Sequence, residues 1–113
     1  MIVDAGKVAM AAHLTETFDR ARIGVGGNST SPLATTLDVP IYSLITISPS
    51  SSNSNVVDFK FTVLGATIAG YVIREIAIFN TAGTTMLTRI NFDGVGPFAS
   101  GEDVDFYVTL EVE

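Results

Sequence analysis

Two segments of this chain alternate apolar and polar residues so regularly that they restrict the fold to one built from half-buried strands. Val57, Phe59, Phe61 and Val63 alternate with Asp58, Lys60 and Thr62. Val104, Phe106, Val108, Leu110 and Val112 alternate with Asp103, Asp105, Tyr107, Thr109 and Glu111. Successive side chains of a strand point to opposite faces, so each run has one face for a core and one largely for water. Antiparallel sheets are built from such runs.

The remaining elements follow from turn and cap signals. Residues 4–17 predict the one helix, with Asp4 as its N-cap and Ala5, Val8, Ala9 and Ala12 as a narrow apolar stripe lying close against a sheet. Residues 22–26 predict a short strand whose glycines permit close backbone approach. Residues 27–36 read as a polar loop, 41–48 as a strand ended by Pro49, and 50–55 as an exposed loop without an apolar residue. Further strands are expected at 56–64, 70–79, 84–92 and 103–112. The turn Asn80-Thr81-Ala82-Gly83 joins two of them, with Asn and Gly supplying the positions that tolerate positive φ. Strands at this spacing predict a mainly β fold: an antiparallel sandwich or small barrel with one N-terminal α-helix. The 113 residues have room for one domain, 1–113, with no linker or internal repeat.

Composition narrows the function. Hydrophobic residues make up 47% of the chain and charged ones only 16%, against about 25% in an average soluble domain. A surface so poor in charge is expected to be covered in part by another protein, and oligomerisation answers that need. The net charge of −6 and the lack of any basic cluster beyond Arg20 and Arg22 argue against a nucleic-acid partner. Without cysteine there are no disulfides and no thiolate metal sites. No secretory signal and no membrane-spanning stretch is legible, which sets the expectation of a soluble protein, intracellular during synthesis.

Candidate chemistry is sparse. His13 has only Glu16 within helical reach and no second imidazole, so it reads as a surface or interface residue. Asp103 and Asp105, preceded by Glu102, read as a solvated strand face that guards an edge against aggregation, since a strand face supplies too few oxygens for calcium. The glycine-rich segment 22–28 has the wrong order for a phosphate loop, because it follows a helix instead of opening one. Asn28-Ser29-Thr30 matches a glycosylation sequon that, without a secretory signal, reads as coincidence. No catalytic, cofactor or metal residues are assigned. Arg74-Glu75 interrupts an apolar run, so one of the pair must be semi-buried and needs a partner. The expected partner of Glu75 is Arg22 or Arg89, in a structural ion pair.

Two segments resemble a known group. Arg22-Ile23-Gly24-Val25-Gly26-Gly27-Asn28-Ser29-Thr30-Ser31-Pro32, followed by Thr35-Thr36-Leu37, resembles the G-x-G-x-x-x-P … T-x-L stretch of small tailed-phage virion proteins. Ile73-Arg74-Glu75-Ile76-Ala77-Ile78-Phe79-Asn80-Thr81-Ala82-Gly83, with Met86-Leu87 and Arg89, is similar to their E-I-G-L-F … G-x-L … R hairpin. Ala77 stands where these proteins often have Gly. The group includes tail-collar fibre N-terminal domains and capsid decoration proteins.

The resemblance implies a β-rich, often trimeric virion component without enzymatic activity, assembled in the host cytoplasm. The brevity of the chain favours capsid decoration, with the major capsid protein and further copies as partners. A tail, neck or baseplate adaptor is the alternative. Met1, Ile2 and Val3, or Ser51, Ser52 and Asn53, are the expected partner contacts, reaching neighbours by strand pairing. A carbohydrate-binding module is a weaker reading, because the chain has no Trp platform and only Tyr42, Tyr71 and Tyr107. A small hydrolase is weaker still, because no nucleophile, base and orienting group can be named.

Overall fold

The computed structural model describes residues 1–28 and 30–113 and arranges them as two antiparallel sheets around one core. The elements in chain order are α1 (Asp4–Thr17), β1 (Arg20–Gly24), β2 (Ile45–Thr46), β3 (Val56–Val63), α2 (Gly65–Ile68), β4 (Ile73–Phe79), β5 (Met86–Val95) and β6 (Val104–Glu111). One sheet has the order β2-β1-β4-β5 and the other is the ribbon β3-β6. The fold is mainly β, a small sandwich.

The alternating segments form the ribbon. They pair from Val56↔Glu111 to Val63↔Val104 without a shift. Val57, Phe59, Phe61 and Val63 are buried, as are Phe106 and Val108, and the Phe61 and Phe106 rings stack at 5.3 Å. Ala21, Ile23, Ile76 and Ile78 meet them from the larger sheet. The polar residues of the ribbon pair across strands on the other face. Thr109 donates to Asp58 (3.1 Å), and Lys60 lies 5.3 Å from the centre of the Tyr107 ring.

Several sequence expectations are corrected. Helix α1 starts at Asp4, and its N-cap is Val3, which makes no side-chain cap bond. Its buried residue is Ala11, with Leu14 packed against the core, while Ala5, Ala9 and Ala12 are exposed. The expected alanine stripe therefore faces outward. Strand β1 begins two residues before its expected start. The expected strand 41–48 keeps only Ile45–Thr46, because Tyr42 gives its carbonyl to the Arg22 side chain (3.0 Å) and not to a strand partner. A one-turn helix, α2, occupies residues assigned to no element, and Asp103 accepts the Gly65 N–H at its start (2.9 Å).

The Asn80–Gly83 turn does join β4 to β5, but Asn80 acts through its side chain. Its Oδ1 accepts the N–H groups of Thr84 (2.9 Å) and Thr85 (3.0 Å), and only Gly83 has positive φ (+73°). The 50–55 segment is an ordered turn. Ser52 and Asn53 are left-handed, and Ser54 N–H donates to Ser51 O (2.9 Å).

Candidate functional site

Strand β4 lies between β1 and β5 and is buried on both faces. Ile76 and Ile78 face the sandwich core, whereas Glu75, Ala77 and Phe79 face the other way. That second face is covered by the long connection of residues 25–44, whose Leu37 packs with Ala77 and Phe79, flanked by Leu44 and Met86. A sheet face that would otherwise meet water thus acquires its own small core.

Glu75 is completely buried at the centre of this arrangement. Its Oε2 accepts the Gly26 N–H (2.8 Å) and the Val39 N–H (2.9 Å), and its Oε1 accepts the Asp38 N–H (2.8 Å). One carboxylate thus fastens the start of the connection and its residues 38–39 to β4. Donors held in place satisfy the buried charge, which removal from water would otherwise penalise heavily.

The glycines make room for it. Gly24 is the register partner of Glu75, and a Cβ there would lie 2.6 Å from Glu75 Oε2 and from Val39 O. A Cβ on Gly26 would lie 2.7 Å from the same oxygen and 2.6 Å from Asp38 Cβ. Real Cβ atoms do not approach so closely, so both positions demand glycine. Gly27 follows with φ +74°, and its backbone passes against Arg74 O.

The expected ion pair of Glu75 with Arg22 or Arg89 is corrected. All three side chains lie on one face, since Ala77 has Arg22 and Arg89 as its two register partners and follows Glu75 by two residues. Each nevertheless holds the connection instead of holding another of the three. Arg22 Nε donates to Tyr42 O, and Arg89 Nη1 donates to Thr36 O (3.4 Å) and lies 3.7 Å from Asp38 Oδ1. The carboxylate takes backbone N–H groups because the two glycines bring the main chain within its reach, whereas the arginines bond to carbonyls of the connection and, for Arg89, lie beside Asp38.

That one of Arg74 and Glu75 is buried was legible from the interrupted apolar run. Its backbone partners were not, although two glycines spaced by one residue opposite an acid are the signal that would have pointed to them.

The other candidates have structural duties. Glu102 Oε1 accepts the Ala99 N–H (2.9 Å), Asp103 caps Gly65, and Thr62 donates to Asp105. Among the described residues, no three His, Asp or Glu side chains converge as a metal site, and no helix is long and apolar enough to cross a membrane. His13 is exposed, 3.3 Å from Thr17 Oγ1. Ser29, within the sequon and the resembling segment, lies outside the described residues. Met1, Ile2 and Val3 are exposed, as are Ser52 and Asn53, while Ser51 is half-buried. Comparison with models of known protein families and with curated protein sequences finds no match.

Proposed function

We propose that this chain is a non-enzymatic structural protein of a tailed-phage virion. Its role in this reading is capsid decoration: a trimer bound to the lattice of the major capsid protein. The observation that carries the reading is the Glu75 clasp. The two segments that resemble virion proteins are distant in sequence, yet one supplies the carboxylate and the other supplies the glycine clearances and an amide donor. A motif whose parts meet to shape a backbone is a motif of architecture, and architecture is what a decoration protein contributes.

The clasped connection also presents exposed Leu33, Val39 and Tyr42 on an anchored frame. Apolar side chains held this way suit contact with another protein.

The test is solution mass together with co-sedimentation on purified heads and, separately, on purified tails. A trimer that saturates heads is the expected result. A strictly monomeric species that binds neither particle overturns the proposal, and binding to tails alone transfers the protein to the tail or baseplate.

A further inference from the structure

Among the described residues, one edge of the ribbon β3-β6 has no backbone partner. Asp58 and Ser50 exchange two backbone hydrogen bonds (3.1 and 2.8 Å) on the side of β3 remote from β6. Residue 58 of β3 therefore turns its backbone groups away from the ribbon, and residues 60 and 62 follow it by the alternation of an antiparallel ladder. Their register partners Thr109, Tyr107 and Asp105 direct their own N–H and C=O groups outward from β6. Among the described residues, no backbone group pairs with those three on that side. The β3 edge is already occupied in part by Ser50, so β6 is the open one.

We infer that this β6 edge is a docking site for an extended segment of another protein, carrying basic residues on one face and apolar residues on the other. Main-chain bonding to Asp105, Tyr107 and Thr109 would supply the affinity, and alternate side chains the specificity. The outer face along the edge carries Asp103, Asp105 and Glu111, all exposed, which asks for Lys or Arg on the incoming strand.

The opposite face of β6 is its core side, where Phe106 and Val108 are buried. Side chains of an added strand on that face continue the row of Phe106 and Val108, so they are expected to be apolar.

The same charges argue against a second copy as the occupant. Antiparallel β6–β6 pairing centred on Tyr107 sets Asp103 opposite Glu111, two like charges face to face. The chain's own alternating basic pair, Arg20 and Arg22, is already committed to β1. The edge geometry stands apart from the virion reading, because a basic extended arm can come from any partner.

The experiment uses an eight-residue peptide of alternating Lys and Val as probe, with an alternating Glu and Val peptide beside it. Amide hydrogen exchange is followed residue by residue in the whole protein. The Lys–Val peptide is expected to slow exchange at Asp105, Tyr107 and Thr109 by about tenfold or more, leaving Phe106 and Val108 unchanged. In the Asp105→Lys, Glu111→Lys double variant, the preference is expected to switch to the Glu–Val peptide. These are exposed side chains, so the fold is retained, which protection of Phe106 and Val108 verifies. Three results would overturn the inference: no slowing, equal response to both peptides, or concentration-dependent protection without peptide. The last would hand the edge to a second copy.

Discussion

Glu75 concentrates three buried hydrogen bonds on two oxygens, so small changes there have distinct signatures. Glu75→Gln keeps the shape but directs an NH2 group at an amide that also donates. Even in its better orientation the Asp38 N–H and the new NH2 group both lack an acceptor, and unfolding titrations are expected to show a loss of about 2 kcal/mol or more. A loss near zero would mean that the charge contributes nothing. The neighbouring glycines respond to volume instead. Gly24→Ala sets a methyl 2.6 Å from both Glu75 Oε2 and Val39 O, so it is expected to cost about 3 kcal/mol. Gly101→Ala, where a Cβ meets nothing within 4 Å, is the control, expected to be neutral or to stabilise by about 0.5 kcal/mol. Equal effects at the two positions would remove the steric account of the G-x-G pattern. Retained stability in both would remove the clasp itself.

At the scale of elements, what can be read from sequence depends on contrast. The ribbon was legible almost to its ends, because Val and Phe alternating with Asp, Lys and Thr leave only one way to turn the strands. Helix α1 was legible as a helix but not in its orientation, since alanines at 5, 9, 11 and 12 surround its axis with small residues. With little contrast between faces, Leu14 and Phe18 decide which side is buried through their contacts with the core. Strand β2 was overestimated because the Tyr42 carbonyl goes to the Arg22 side chain, while Ile41 and Ile47 make only single backbone bonds, to Ile23 and Asp19, an outcome that propensity does not register. The Glu75 site was half legible: burial showed in the apolar run, and the backbone donors depended on a connection whose path only tertiary structure sets. The uncapped start of α1 gives a prediction at this scale. Val3 stands at the N-cap in extended conformation (φ −76°, ψ 162°) without a side-chain acceptor. Val3→Ser is therefore expected to raise stability by about 1 kcal/mol in thermal or denaturant unfolding. No gain would show that the helix start is already satisfied by other means.

The whole molecule is elongated, with extents of 46 × 29 × 25 Å and a radius of gyration of 14.6 Å, where a compact chain of this length averages about 13 Å. A four-stranded sheet facing a two-stranded one leaves the sandwich lopsided, and its unpaired surface invites neighbours. Many of the exposed large apolar side chains belong to two segments. Met1, Ile2 and Val3 precede α1 and Met10 lies midway along it, while Leu33, Val39 and Tyr42 lie on the clasped connection. If copies or a lattice cover these places, their removal must be nearly silent in the isolated fold and costly in the assembly. Ile2→Ser and Leu33→Ser remove side chains that are 45% and 86% exposed, so each is expected to change stability by no more than about 0.5 kcal/mol. At least one is expected to weaken self-association or particle binding by about tenfold, because truncating a buried interface anchor commonly costs more than 1 kcal/mol. Analytical ultracentrifugation and particle co-sedimentation of the two variants separate these effects. If both variants assemble and bind like the parent, these apolar groups belong to the free surface, and the contacts of the protein must be sought on the acidic ribbon.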